Sequence, residues 1–132
     1  MTVVLDTSAV AAVVFGEPDA AAYASAMQRA AGDIIVSAAT TVELGIVVGS
    51  RHGQEGIDDL RALLTTLKVR TVPVDDALAT AAVAAWRRFG KGRHPAGLNY
   101  GDCFSYATAK VSGGALLFKG DDFAQTDIPS AL

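Results

Sequence analysis

Acidic residues that could do chemistry stand at four places along the chain: Asp6, Glu43, Asp102 and the pair Asp121 and Asp122. Carboxylates ~4 Å apart repel by ~4 kcal/mol at an effective dielectric of ~20, and a cation turns that cost into affinity. Sites made of oxygen ligands alone suit hard divalent ions such as Mg²⁺ or Mn²⁺. These acids therefore favour a Mg²⁺ or Mn²⁺ site if folding brings them together.

Glu43 is the acid that its surroundings explain least. It lies in the apolar stretch TTVELGIVVG, where Val42 and Ile46 are expected to be buried, and no cation lies within four residues of it. An unpaired buried carboxylate is costly enough to lose its charge. Glu43 therefore needs a partner from elsewhere in the fold, either a distant arginine or lysine or a metal ion shared with other acids.

The other acids have structural explanations as well. Asp6 and Asp102 could each cap a helix, which is worth ~1 kcal/mol. Asp121 and Asp122 could be ordinary loop acids, and Asp75, next to Asp76, is a plausible N-cap at a helix start.

Several other classes of site are disfavoured. Cys103, His52 and His94 show no zinc-ligand spacing, and no phosphate-binding glycine loop or nucleophilic serine motif is present.

A single cysteine suits a reducing compartment. The longest apolar run, AVAAVVF, is too short to span a membrane, and the N-terminus does not resemble a secretory signal. We expect a cytoplasmic protein without a membrane partner.

Short apolar strands alternate with helices along the chain. Strands are predicted at TVVLD, DIIVS, VRTVPV and ALLFK, with helices between them, including one capped by Ser37. This alternation predicts a single α/β domain over residues 1–132, with a parallel sheet covered on both faces. The aromatic residues Trp86, Phe104 and Tyr106, and also Cys103, are expected in the core. In such sheets, ligands bind beyond the carboxyl ends of the strands, where Asp6 and the Asp121–Asp122 pair lie.

Positive charge is concentrated in one segment of an otherwise acidic chain. The net charge is −3, yet RRFGKGRH contains four of the eleven Lys and Arg residues, and no acid lies between Asp76 and Asp102. Such a patch could contact phosphates or could be a solvated helix end. The residues concerned are Arg87, Arg88, Lys91, Arg93 and His94.

Four motifs taken together resemble the PIN-domain ribonucleases, and the VapC toxins of type II toxin–antitoxin systems in particular. They are VVLDTSAV, ATTVELGIVV, LNYGDCFSYATAK and LLFKGDDFAQTD, and the similarity covers Val3 to about Asp127. The resemblance implies a three-layer α/β/α sandwich with a central parallel sheet of four to five strands. It also implies endoribonuclease activity, on tRNA or rRNA, that depends on Mg²⁺ or Mn²⁺.

The resemblance also assigns roles to residues. Asp6, Glu43 and Asp102 correspond to the family's first three acids and would bind the metal, with Thr7 and Ser8 as nearby hydroxyls. FKGDDF departs from the common Thr-x-Asp-x-Asp-Phe pattern, so either Asp121 or Asp122 could be the fourth acid. The basic segment and Lys119 become candidate RNA contacts.

The family further implies a VapB-type antitoxin and a homodimer, for which helices over residues 20–31 and 76–89 could supply surfaces. A receiver-like phosphoacceptor module is the alternative from another class, testable by acetyl-phosphate labelling of Asp75. It is disfavoured because the first strand ends in one acid and Glu43 would have no role. A metal-dependent phosphatase would need an Asp-x-Asp pair, which LDTSA lacks. A PIN-like protein that only binds its partner is a third rival.

Overall fold

A four-stranded parallel sheet forms the centre of the protein. The computed structural model describes all 132 residues. The strands are β1 (Val3–Leu5), β2 (Ile34–Ser37), β3 (Arg70–Val72) and β4 (Ala115–Leu117), in the order β3-β2-β1-β4. Because β1 and β2 are central, the segments that follow them meet at the middle of the carboxyl edge. The predicted α/β class and strand count are confirmed.

Five α-helices connect the strands. They are α1 (Thr7–Val14), α2 (Ala20–Ala30), α3 (Ala38–Thr66), α4 (Asp76–Phe89) and α5 (Tyr100–Ser112). The two helices predicted between β2 and β3 run on as α3, with a break in helical geometry at Gly53, where φ is +63°. Asp75 caps α4 by accepting a hydrogen bond from the Leu78 N–H, and Ser37 caps α3 through the Ala39 N–H, as expected.

Alternate strand residues point to opposite faces of the sheet, and each face has its own apolar core. Val4, Ile35 and Leu116 pack with α4 and α5 in one cluster of 16 buried residues. Leu5 and Leu117 pack with α1, α2 and α3 in another cluster of 14. The helices therefore cover both faces, which gives the predicted three-layer α/β/α sandwich.

An ion-pair network holds the C-terminal segment against α4 and α5. After β4, a short 3₁₀ helix (Phe123–Gln125) leads to Asp127. Asp127 accepts hydrogen bonds from the Tyr106 hydroxyl at 2.5 Å, from Lys110 at 2.9 Å and from Arg88 at 3.0 Å. The Tyr106 hydrogen bond and the two cations hold the pKa of Asp127 well below its usual range.

Some residues expected in the core lie at the surface. Cys103 and Tyr106 are buried, but Trp86 is 44% exposed, and Val42 and Ile46 are 62% and 64% exposed. The prediction was wrong for these three because helical periodicity does not show which apolar side chains lie outside the stripe that packs on the sheet. No helix is long and apolar enough to cross a membrane.

Candidate functional site

Asp6 is a buried acid at the carboxyl end of β1. It is 4% exposed, and its backbone N–H donates to the Leu117 carbonyl of β4 at 3.0 Å. Its Oδ2 accepts hydrogen bonds from the Ser8 N–H (3.0 Å) and the Ser8 hydroxyl (2.6 Å). Its Oδ1 accepts one from the Ser105 hydroxyl at 2.6 Å. Asp6 therefore caps α1, as its structural explanation required, yet no cationic side chain neutralises it.

Glu43 lies on α3 and reaches toward α1 and α5. Its Oε1 accepts a hydrogen bond from the Thr7 hydroxyl. On its other side is Gly101, where a Cβ atom would stand only 2.5 Å from Glu43 Oε2. Glycine at position 101 is therefore what allows the carboxylate to approach the start of α5. Glu43 therefore has no arginine or lysine partner, and its partnership with a metal ion stays a prediction.

Asp102 lies in the first turn of α5. Its Oδ2 accepts a hydrogen bond from the Asn99 N–H at 3.0 Å, and its own N–H donates to Asn99 Oδ1 at 2.9 Å, which forms a capping box. The N-cap is thus Asn99, not Asp102. Burial is the main cause that raises the pKa of Asp102, to about 6, and the charges of Asp6, Asp122 and Glu43 act in the same direction.

The structure brings four of the predicted acids into one electrostatic neighbourhood, which we term the acid cluster: Asp6, Glu43, Asp102 and Asp122. Asp121 is not among the charges that act on Asp102. The chain turns at Gly120, where φ is +103°, and of the two acids that follow it only Asp122 acts on the carboxyl group of Asp102. This placement agrees with the alignment of FKGDDF without a gap.

The acid cluster lacks any neutralising side chain. The four ion pairs of the structure use Asp127, Glu17 and Asp19, and none uses an acid of the cluster. No three acidic, histidine or cysteine side chains stand close enough together to hold one metal ion between them. Mg²⁺, however, keeps several of its waters and needs only one or two direct carboxylates. The oxygen-only donor set and the uncompensated charge fit such an ion.

The predicted RNA contacts are not equally available. Arg88 pairs with Asp127, and Lys119 pairs with Glu17 and Asp19 at 3.1 and 2.9 Å. Both cations are therefore engaged in ion pairs with acids outside the acid cluster.

The other basic residues lie in the last turn of α4 and in the segment between α4 and α5. The His94 ring accepts a hydrogen bond from the Ala96 N–H, and Arg93 stacks on Trp86 and donates to the Arg87 carbonyl. Arg87 and Lys91 form no ion pair or side-chain hydrogen bond. Arg87 and Lys91 are therefore the cations of this segment that are free to meet a ligand.

Sequence reasoning missed several residues that shape the site. Ser105 is fully buried and lies three residues after Asp102, so it is on the same helix face. Asn99 lies three residues before Asp102, which is capping-box spacing and was readable from the sequence. Gly101 gave no signal, because its role depends on a residue from another helix.

Residues of α4, of α5 and of the segment between them line an apolar groove. It has a volume of about 680 Å³, and nine of its eleven lining residues are hydrophobic. Val83, Trp86 and Tyr100 line it and are 58%, 44% and 83% exposed.

The chain is similar to known proteins along almost its whole length. The model of the PIN domain family matches residues 3–129. The chain is 50% identical over 127 residues to Ribonuclease VapC of Mycolicibacterium smegmatis, which covers 95% of this chain and 96% of that protein.

Two solved structures share the fold. One is VapC20 of Mycobacterium tuberculosis, described as a Sarcin-Ricin loop cleaving toxin, with a TM-score of 0.79 and 18% identity, covering 96% of each chain. The other is VapBC2 of Rickettsia felis bound to a DNA fragment from its promoter, with a TM-score of 0.78 and 14% identity, covering 98% of this chain and 96% of that one.

Asp102→Asn should stabilise the metal-free protein at neutral pH. An aspartate in an unfolded chain loses its proton near pH 4, whereas folded Asp102 has its pKa raised to about 6. The folded state thus binds more protons between about pH 4 and pH 6, and the wild type loses stability as the pH rises through that window. Because Asp102 is partly exposed, we expect the variant to gain about 1–2 kcal/mol at about pH 7.5 and almost nothing at about pH 4.

Urea unfolding in a chelator at both pH values measures this difference. Asp121→Asn is the matched control and should change stability little, because Asp121 does not act on Asp102. A gain that does not depend on pH, or a loss of stability at neutral pH, contradicts the assigned environment of Asp102.

Proposed function

The chain belongs to the PIN-domain family, among the VapC ribonucleases, and on that premise we propose that it is the toxin of a type II toxin–antitoxin pair that hydrolyses RNA with the help of Mg²⁺ or Mn²⁺. The observation that supports the metal dependence is the acid cluster, whose charges act on Asp102 and whose members form no ion pair with a cationic side chain. The receiver-like alternative has no support, since Asp75 serves as the N-cap of α4.

The acids of the cluster have different proposed roles in hydrolysis. Asp6 and Asp102 would hold the divalent ion, and Glu43 would bind it directly or through water. The bound ion would supply an activated water and neutralise charge on the scissile phosphate. The Asp122 carboxylate makes no side-chain hydrogen bond, so we propose that it acts as the general base and accepts a proton from the attacking water. The water oxygen would bond to phosphorus as the bond to the ribose oxygen breaks; Asp122 would take the proton of the water, and the leaving ribose oxygen would take a proton from solvent.

Asp6→Asn should lower the rate of RNA cleavage by at least about a hundredfold, because it removes charge from the proposed ion-binding carboxylate. Purified protein incubated with tRNA and rRNA in Mg²⁺, Mn²⁺ or chelator measures this, with cut sites mapped on the products. Asp121→Asn is the control and should cleave at close to the wild-type rate. Cleavage by Asp6→Asn at the wild-type rate, or wild-type cleavage in chelator, overturns the proposal.

Arg87 is proposed to contact an RNA phosphate, with Lys91, Arg93 and His94 beside it. Arg87 lies in the last turn of α4, and Lys91, Arg93 and His94 lie in the segment that leads from α4 to Asn99 and Asp102. Such contacts offset the repulsion between RNA and the carboxylates.

Replacing Arg87 with Ala in the Asp6→Asn background should reduce the slope of log affinity against log salt by about one. Fluorescence anisotropy with a labelled RNA measures the slope. Arg61→Ala removes an exposed charge from α3 and serves as the control. Equal slopes for the Arg87→Ala and Arg61→Ala variants would show that Arg87 does not contact RNA and that the basic segment is a solvated helix end.

A VapB-type antitoxin is the proposed protein partner, by analogy with the VapBC2 pair. Co-expression with the product of a neighbouring small gene should relieve growth arrest by the toxin. Persistent arrest with every neighbouring product would contradict the pairing.

A second copy of the chain is the proposed occupant of the apolar groove. A groove with one cation, Lys91, and nine apolar lining residues is suited to a self-complementary contact about a two-fold axis. Val83→Lys should give a monomer, since a lysine in an apolar interface is costly. Ala84→Lys, one residue further on α4 and outside the groove, should stay dimeric. Light scattering after size exclusion measures both, and a monomeric wild type rules out the dimer.

A further inference from the structure

Buried hydroxyl groups surround the Asp6 carboxylate. Ser105 is 0% exposed, and its hydroxyl donates to Asp6 Oδ1 at 2.6 Å. The Ser8 hydroxyl and N–H donate to Oδ2 at 2.6 and 3.0 Å. Three donors from α1 and α5 therefore fix the orientation of a carboxylate that has no counter-ion.

The hydroxyls are themselves held in place by other elements. Ser8 Oγ accepts a hydrogen bond from the Lys119 N–H at 2.9 Å, so its own proton is directed to Asp6. Ser105 Oγ lies 3.5 Å from the hydroxyl oxygen of Thr40, a buried residue of α3. The segment after β4 and helix α3 thus support the two hydroxyls that hold Asp6.

The number of hydrogen bonds decides which oxygen remains available. A carboxylate has about four acceptor sites, two on each oxygen. Ser8 takes both sites of Oδ2, and Ser105 takes one of the two sites of Oδ1. One site on Oδ1 is left for a further ligand.

We infer that Ser105 is a positioning residue: its hydroxyl fixes Asp6 so that a single site on Oδ1 is presented to a divalent cation. The inference rests on the proposed function, because it concerns the same ion. Groups that hydrogen-bond to metal-binding carboxylates orient them, and their removal costs about 10–100-fold in metal affinity. A purely structural serine would change stability and leave affinity for the ion intact.

Mn²⁺ binding to the RNA-free protein, measured by electron paramagnetic resonance, separates these roles. Ser105→Ala should weaken Mn²⁺ binding by about tenfold. Ser105→Cys replaces the hydroxyl with a slightly larger thiol, which is a weak donor. It should weaken Mn²⁺ binding in the same way, so it decides the question if the alanine variant does not fold. Thr108→Val is the control: its buried hydroxyl, one turn further along α5, donates to the Phe104 carbonyl and not to Asp6. It should bind Mn²⁺ like the wild type.

A folded Ser105 variant whose affinity for Mn²⁺ stays within about twofold of the wild type overturns the inference, since removing such a partner costs tenfold or more. If the wild type binds Mn²⁺ and cuts RNA while these variants bind equally well, the positioning role alone is lost. If the wild type neither binds Mn²⁺ nor cuts RNA, the proposed function is lost as well.

Discussion

Repulsion among carboxylates at one end of the parallel sheet is the constraint on which the site depends. Asp6 directly follows the central strand β1, and Glu43 lies within the first two turns of the helix after the central strand β2. Asp102 lies in the first turn of the helix that leads to β4. The fold reduces the cost of their charge with hydroxyls, with backbone N–H groups at helix starts and with the glycine at position 101. Burial is the main cause that raises the pKa of Asp102 to about 6, and the charges of Asp6, Asp122 and Glu43 act in the same direction.

The cations that form ion pairs bind acids outside the acid cluster, and none of them pairs with an acid of the cluster. Lys119 ties the segment after β4 to the connection between α1 and α2 through Glu17 and Asp19, and Arg88 helps to hold the C-terminal segment through Asp127. These pairs at or near the surface contribute little energy each, but they hold the segment after β4, which carries Asp122 and whose Lys119 N–H donates to the Ser8 hydroxyl. Positive charge is thus kept out of a place where a lysine or arginine would compete with a metal ion.

The sequence predicted the elements and the main acids because both follow from local rules. Apolar β-branched runs indicate buried strands, and acids directly after strands lie at the carboxyl edge. Glu43 stood out because nothing nearby could neutralise it. The choice between Asp121 and Asp122 could not be made, since it depends on the backbone turn at Gly120.

Contacts between residues distant in sequence were beyond local rules. Ser105 looks like any polar residue of a helix until α5 is packed against the end of β1, 99 residues away along the chain. Lys119 and Asp19 are separated by 100 residues, so the ion pair between them could not be predicted from local sequence either. The exposure of Trp86 was mispredicted for a related reason: helix α4 shows which residues are apolar, and only packing shows which of them the sheet covers.

The proposed hydrolysis requires a divalent ion among the acids, and a crystal structure of the protein soaked in Mn²⁺, with anomalous scattering recorded, tests this most directly. We expect an anomalous peak in contact with a carboxylate oxygen of Asp6 or Asp102 and within the acid cluster. The absence of a peak at saturating Mn²⁺, or an arginine or lysine side chain lying among the four carboxylates, would contradict it.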